Sequence, residues 1–431
     1  MVSISEIYKL FVQSSGVCTD TRSIKRESMF FALKGANFNG NLFAKEAIRQ
    51  GALFAVVDEP EAAGDENIVL VDDVLKTLQE LASYHRKQLN IPIIGITGTN
   101  GKTTTKELVK SVLESTYKVY ATQGNLNNHI GVPLTLLSMG SDIEIGIVEM
   151  GANHPGEIRA LCNIADPDCG LITNVGKAHL EGFGSFEGVK STKSELYRHL
   201  EGKQGTVFIN SDNSHLKGML TQGAIKYSYG KSDDNKVVFG SFLNGDFLGF
   251  SCAIDGCETE IKTNLVGRYN LENAMAAVTI GNYFKVTSNR IVQAIANYFP
   301  TNNRSQLEVT SKNKVLFDAY NANPSSMEVA LLNFKDMEGV NKTVIFGEMK
   351  ELGVDSAMEH KKLVDALFQI EGLRIILVGE NYRELVKDSE VDYYHNVDEL
   401  VSLLKANPLE DALVLVKGSR SNRLEKLKEV L

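Results

Sequence analysis

The stretch Thr97-Gly98-Thr99-Asn100-Gly101-Lys102-Thr103-Thr104-Thr105 holds the residue types that bind a nucleotide triphosphate. Glycines let backbone N–H groups close around phosphate oxygens, and the N-terminus of a following helix adds positive potential. Lys102 supplies a point charge, and the Thr103 hydroxyl can ligate Mg²⁺. The apolar run Ile91-Pro92-Ile93-Ile94-Gly95-Ile96 predicts a strand before the loop. Apolar residues at helical spacing over 106–113 predict a helix after it. The loop reads G-x-x-G-K-T and is shorter than a Walker A motif. Strand, glycine loop and helix in that order weigh against the bland reading, a turn with a surface lysine.

A triphosphate site needs further oxygen ligands for Mg²⁺. Glu149 ends the apolar run Ile143-Glu144-Ile145-Gly146-Ile147-Val148. A carboxylate at the C-terminal end of a strand, in the same sheet as a phosphate loop, lies where open α/β sheets place ligands. Its alternative is a solvated strand end. His179 follows another apolar run, Cys169-Gly170-Leu171-Ile172-Thr173, and belongs at the same sheet edge. A lone histidine is otherwise a surface or core residue. Lys193 lies on a predicted helix, and its residue type alone reads as a surface lysine, since a cation beside Mg²⁺ is repelled. Asn273 opens an alanine-rich helix. Its amide suits an adenine edge, or a helix cap. Asp318, before Ala319-Tyr320-Asn321-Ala322-Asn323-Pro324, could bind ribose hydroxyls or belong to an ordinary turn.

These residues require elements that alternate. Over 1–88 the pattern predicts a small α/β unit with strands at 28–33, 52–57 and 68–71 and helices at 43–50 and 74–89. Over 89–298 it predicts the largest unit, with strands at 91–96, 143–149, 169–173 and 205–210. Its helices are at 106–113, 156–162, 186–200 and 271–283, and short antiparallel runs fall at 235–265. Over 299–431 the alternation restarts, with strands at 314–318, 343–347, 375–379 and 413–417 and helices at 326–334, 357–370 and 397–404. Strands alternating with helices predict parallel sheets covered on both faces. The fold class is therefore α/β, in three domains, the last Rossmann-like.

A chain of 431 residues is too long for one core. A net charge of −9 excludes a general nucleic-acid binder, which needs a basic footprint. The five cysteines, 18, 162, 169, 252 and 257, form no C-x-x-C and read as reduced thiols of a cytoplasmic protein. No signal peptide and no membrane span is expected.

Several stretches together resemble the Mur ligase superfamily, which builds peptidoglycan precursors with ATP, and within it the branch that adds D-alanyl-D-alanine. They are the short loop at 98–105, Gln123-Gly124-Asn125-Leu126-Asn127-Asn128-His129-Ile130-Gly131-Val132-Pro133-Leu134-Thr135-Leu136-Leu137, and Val148-Glu149-Met150-Gly151. Further along stand Asn174-Val175-Gly176-Lys177-Ala178-His179-Leu180-Glu181-Gly182-Phe183-Gly184 and Tyr320-Asn321-Ala322-Asn323-Pro324. Gly347-Glu348-Met349-Lys350-Glu351-Leu352-Gly353 and Val416-Lys417-Gly418-Ser419-Arg420-Ser421 complete the set. The D-N-P-R string frequent in the sister ligase that adds the third residue is absent.

The resemblance implies that Gly98, Thr99, Asn100, Gly101, Lys102, Thr103 and Thr104 bind ATP phosphates, with Asn273 on adenine and Arg304 and Asp318 completing the nucleotide site. It implies two Mg²⁺ ions, held by Thr103, Glu149, His179 and Lys193, the last as a carbamate formed with CO2. That modification turns a repelled cation into a carboxylate. Asn125, Asn127, Asn128, Asn321 and Asn323 would contact substrate. Thr21 and Arg22, in Thr19-Asp20-Thr21-Arg22, would face uridine, although the family's D-G-H-x-F appears here as Asn39-Gly40-Asn41-Leu42-Phe43. The implied substrates are UDP-N-acetylmuramoyl-tripeptide and D-alanyl-D-alanine, joined through an acyl phosphate by a monomer whose third domain swings about residues 298–304. Two alternatives stay open at this point: another amino-acid or folylpolyglutamate ligase of the superfamily, and a protein that binds nucleotide without catalysis.

Overall fold

The computed structural model describes residues 2–245, 247–301 and 304–431. Three main sheets follow one another along the chain. The first has four parallel strands in the order Val17–Cys18, Met29–Phe31, Phe54–Val57 and Ile68–Leu70. Side chains alternate across it. Met29 and Phe31 face the helices Ile4–Gln13 and Val74–Gln88, while Phe30 and Ala32 face Ala44–Arg49. Within Asn39–Phe43, Gly40 and Asn41 are buried while Leu42 and Phe43 are exposed. Asn41 exchanges hydrogen bonds with Asp58 (2.8 and 2.9 Å), and the Asn39 amide donates to Glu59.

The second sheet has nine strands. Ile93–Thr97 lies between Cys169–Ile172 and Ile145–Glu149, parallel to both. The chain leaves this strand to opposite sides, so a crevice opens at the carboxyl ends, where α/β sheets bind ligands. Thr206–Asn210 and Ile225–Gly230 continue the parallel part, and Val119–Ala121 closes the other edge. Val237–Leu243, Gly249–Ile254 and Cys257–Lys262 form an antiparallel edge, as the short alternating runs predict. One face carries Lys102–Glu114, Leu271–Tyr283 and Ser288–Ala296. Gly281 lets the alanine-rich helix approach closely, because a Cβ there would sit 2.5 Å from Val112 Cγ1. The opposite face carries Gly131–Leu137, Glu157–Ala165 and Phe186–Gly202. It shares one apolar core with Val74–Gln88 of the first unit.

That shared core makes the first two units one body. A buried arginine reinforces it: Arg86 donates to the carbonyls of Leu89, Ile91, Ala165 and Asp166 and pairs with Asp168 at 2.7 Å.

The third sheet has the order Gln306–Val309, Asn313–Asp318, Ala412–Lys417, Thr343–Gly347, Arg374–Val378 and Asp392–Tyr394. Only the first pair is antiparallel. Every residue of Ala412–Lys417 is buried, as expected of a strand covered on both faces. Separate apolar cores fill its two sides.

Several elements exceed the expectations. The helix expected over 106–113 begins at Lys102, directly on the loop. Ile4–Gln13 and Ser288–Ala296 lie outside the expected elements, although both are amphipathic and Ser3 with Glu6 forms a capping box before the first; Gly131–Leu137, Ile225–Gly230 and Gln306–Val309 are short or sit beside turn residues, and sequence pattern does not announce them.

Candidate active site

The loop after Ile93–Thr97 is shaped by two glycines. Gly98 has φ +146°, and a Cβ there would lie 2.0 Å from Thr173 Oγ1. Gly101 has φ +79°, and a Cβ would lie 2.4 Å from Asn273 Oδ1. Both positions need glycine for conformation and for space. A second loop, 173–176, braces the first. The Asn100 N–H donates to Asn174 Oδ1 (2.9 Å), Thr173 Oγ1 donates to the Asn100 carbonyl (2.6 Å), and the Thr99 N–H reaches the Asn174 carbonyl (3.0 Å). Lys102 folds back, its Nζ donating to the carbonyls of Gly98 (2.8 Å) and Thr99 (3.0 Å). Desolvation pushes its pKa below the ordinary lysine value. Glu149 opposes that shift and Arg304 adds to it.

Glu149 is buried at the end of its strand. Its Oε1 accepts from Thr103 Oγ1 (3.3 Å) and Asn127 Nδ2 (2.8 Å), while its Oε2 is buried without a partner. A buried carboxylate oxygen without a partner is costly unless something else binds there. Thr103 and that oxygen fit a cation beside the phosphate loop. Among the described residues no group of three His, Cys, Asp or Glu side chains gathers to cage a metal.

His179 and Lys193 flank the ring of Phe183. The imidazole meets it edge-on at 6.3 Å, and Lys193 Nζ lies 5.7 Å from its centroid. His179 has φ +50°, uncommon for a residue with a side chain. Lys193 is 2% exposed. Burial drives its pKa well below the ordinary value, and the nearby Lys102 pushes the same way, against Glu157 and Glu195. A neutral amine is nucleophilic toward CO2, so the position suits a carbamate.

The third unit closes over this crevice through polar contacts. Asn323 caps the helix Pro324–Asp336 and donates from Nδ2 to Asn100 Oδ1 (2.8 Å) in the phosphate loop. The Lys177 N–H reaches Ser325 Oγ, Lys177 Nζ pairs with Glu359 at 3.6 Å, and the Glu351 carboxylate contacts His179 Nδ1. Asp318 binds Lys417 Nζ at 2.5 Å. The Arg304 guanidinium stacks 3.8 Å from the centroid of Tyr320, with its Nε buried and unpartnered.

All three units thus line one cavity of about 1200 Å³, with Gln79 at one side and Asp318, Tyr320 and Lys417 at the other. Gly101, Lys102, Thr103, Glu149, His179, Asn273 and Arg304 lie on its wall, as do Asn125, Asn127, Asn128, Asn321 and Asn323. Their amides are partly committed. Asn127 holds Glu149, and Asn128 caps Ile130 and Gly131. Asn273 accepts from Thr105 and donates to Asn270. Lys193 stands behind the wall. Thr21 and Arg22 do not join the cavity: they form a short turn at the first sheet, where Arg22 is exposed and pairs with Asp20 at 2.6 Å. Sequence reasoning assigned no role to Lys417, Glu351 or Asn174. Lys417 ends a buried strand beside Asp318, and the strand-end rule that found Glu149 could have found it. Glu351 sits in a loop with no such signal.

Comparison with known proteins decides the family. Residues 96–281 match the Mur ligase middle domain, 303–420 the Mur ligase glutamate ligase domain, and 13–86 the Mur ligase family catalytic domain. The UDP-N-acetylmuramoyl-tripeptide–D-alanyl-D-alanine ligase of Bacillus subtilis is 33% identical over 424 residues, covering 96% of this chain and 92% of the relative. The chain belongs to the MurF family of Mur ligases. The Escherichia coli ligase of the same name is 31% identical, over 96% and 93% of the two chains. Two MurF crystal structures share the three-domain fold. One, from Acinetobacter baumannii, has a TM-score of 0.87 at 27% identity and covers 98% of this chain and 97% of its own. The other, from Thermotoga maritima in complex with ADP, has a TM-score of 0.86 at 26% identity with the same coverage. No helix among the described residues is long and apolar enough to cross a membrane.

Proposed function

We propose that this MurF-family chain joins D-alanyl-D-alanine to UDP-N-acetylmuramoyl-tripeptide, with ATP converted to ADP and phosphate, in peptidoglycan precursor synthesis. The observation that carries the reading is the single cavity that brings the phosphate loop, Glu149 and His179 against Asp318 and Lys417 of another domain. A site built between domains suits an enzyme that must hold a nucleotide and two further substrates together.

An oxygen of the tripeptide carboxylate attacks the γ-phosphorus, and the bond to the bridging oxygen breaks as ADP leaves. The dipeptide amine then attacks the acyl carbon of the acyl phosphate. The amide forms, phosphate departs, and the amine gives up a proton. Lys102, released from its own loop, offsets charge on the phosphates, and the backbone N–H groups of 98–104 hold them in line. Thr103, Glu149, His179 and carbamylated Lys193 would hold two Mg²⁺ ions, which neutralise charge on the phosphates and the reacting carboxylate when bound. Asn273, Arg304 and Asp318 would fix adenine and ribose.

In this reading 1–88 holds the UDP moiety with Thr21 and Arg22, 89–298 binds ATP, and 299–431 brings the dipeptide and closes. The enzyme acts as a monomer in the cytoplasm. Phosphate release with UDP-N-acetylmuramoyl-tripeptide, D-alanyl-D-alanine and Mg²⁺-ATP tests the proposal. Release that requires the dipeptide is expected. Release with another amine and none with D-alanyl-D-alanine would overturn it.

A further inference from the structure

Lys106 is fully buried, and neither phosphate binding nor the proposed metal site uses it. It lies on Lys102–Glu114, one helical turn past Lys102. Its Nζ donates to the Thr122 carbonyl (2.5 Å) and pairs with Glu107 at 2.9 Å. Lys106 is not part of the cavity wall. Thr122 is not either; it marks the point where Val119–Ala121 gives way to the loop 123–130. The Thr122 N–H donates to the Ile147 carbonyl (2.9 Å), and its Oγ1 accepts from the Glu149 N–H (2.9 Å). The base of the loop is thus tied to the strand of Glu149 on one side and to the phosphate-loop helix on the other.

Beyond that base the loop is open. Gln123, Gly124, Asn125 and Leu126 are exposed, and Gly124 has φ +54°. Yet Asn125, Asn127 and Asn128 line the cavity. The far side is held at Asn127, whose Nδ2 donates to Glu149 Oε1 (2.8 Å) and whose carbonyl accepts from the Gly151 N–H (2.7 Å). Stability does not account for Lys106. Burying a lysine is costly even when it is paired, and an apolar side chain of similar length would fill the space without that cost. What Lys106 adds is a fixed place for the Thr122 carbonyl.

Resting on the ligase reading of the site, we propose that Lys106 is a positioning residue. It fixes the loop 123–130, which presents Asn125, Asn127 and Asn128 to the UDP-linked substrate, at a set distance from the phosphate loop. Attack of a carboxylate on the γ-phosphorus needs the two held in line, where a displacement of about 1 Å is costly. One helix supplies both supports. Lys102 and Thr103 at its start serve the phosphates, and Lys106, a turn later, holds the loop of the acceptor.

The test compares the full chain with Lys106→Met, Lys106→Arg and Glu107→Gln. Lys106→Met keeps the apolar stem and removes the donor, Lys106→Arg keeps a donor, and Glu107→Gln removes the neighbouring charge alone. Hydrogen exchange of the ligand-free chain reads the loop without turnover. Amides of 123–130 should exchange about tenfold faster in Lys106→Met and near the wild-type rate in the other two, with 107–113 unchanged. In turnover, kcat/KM for UDP-N-acetylmuramoyl-tripeptide should fall about tenfold in Lys106→Met and recover in Lys106→Arg, while ADP affinity by calorimetry stays within about twofold of wild type. Wild-type exchange of 123–130 in Lys106→Met would overturn the proposal. So would faster exchange spread evenly over 102–130 with ADP affinity lost in step, since Lys106 would then only pack its own helix. Where Lys106→Met does not fold, Lys106→Gln, too short to reach Thr122, is read by the same criteria. Absence of dipeptide-dependent turnover in wild type would sink the ligase reading, while the exchange comparison would still decide the role of Lys106.

Discussion

Lys193 shows how a residue gains chemistry from its surroundings. Its amine is buried against Phe183 and carries a pKa well below the ordinary lysine value, chiefly through desolvation. That direction favours the neutral amine, the form that the proposed carbamate requires. Turnover should fall in CO2-depleted buffer and recover with bicarbonate. Lys193→Ala should lose about 10²–10³-fold in kcat and show no bicarbonate response. Wild-type activity of that variant at low bicarbonate would contradict the role. The same shift has a sign in stability. Between the lowered folded value and the ordinary one, the native state binds fewer protons than the unfolded chain, so stability rises with pH across that window. In CO2-free buffer Lys193→Met should therefore raise the melting temperature more at pH 7 than at pH 10. Gly101 makes a steric prediction. Gly101→Ala puts a Cβ 2.4 Å from Asn273 Oδ1 at φ +79°. The strain should cost about 1–3 kcal/mol, seen as a loss of ATP affinity of about tenfold or more by calorimetry.

At the scale of elements, the helix Val74–Gln88 welds the first unit to the second. Its apolar face enters the core of the central sheet, and Arg86 satisfies carbonyls at the ends of two other elements. Arg86→Ala leaves those acceptors buried without donors. Asp168 is partly exposed, so its share of the loss is small. The variant should lose about 2–4 kcal/mol in urea unfolding, and a wild-type midpoint would refute the weld. Much of this architecture is legible in the sequence. Leu271–Tyr283 and Thr343–Gly347 coincide with their expected bounds, because length and composition separate a long alanine-rich helix from a short buried run of β-branched and aromatic residues. Gly131–Leu137 is different. Its run Gly-Val-Pro-Leu-Thr-Leu-Leu contains Gly and Pro, and it is helical because its residues are buried between Val74–Gln88 and the central sheet.

The whole molecule has one tight seam and one loose one. The first two units share an extensive apolar core, whereas the third meets them mainly through polar contacts at Asn100, Lys177 and His179, with Val266 of the second unit reaching the third unit's core. We propose that the third domain is the part that swings, as such closures require. Two residues of the expected hinge, Asn302 and Asn303, lie outside the described residues. X-ray scattering should show the radius of gyration falling when an ATP analogue and the tripeptide nucleotide are added. Asn323→Ala removes one hydrogen bond across the seam, about 0.5–1.5 kcal/mol, and should weaken that compaction and lower kcat severalfold. An unchanged scattering curve in wild type would argue against closure.

The phosphate loop, the strand-end Glu149 and the alternation of strands and helices follow from residue type and spacing alone. Phosphate binding and sheet burial are local demands that leave local patterns. Tertiary structure decided the rest. It left Thr21 and Arg22 outside the cavity, committed Asn127 to Glu149, and brought Lys417 to Asp318 across two neighbouring strands. It also set Glu351 against His179, residues 172 positions apart in the chain. No local period encodes such a contact, because it exists only where two separately folded domains meet.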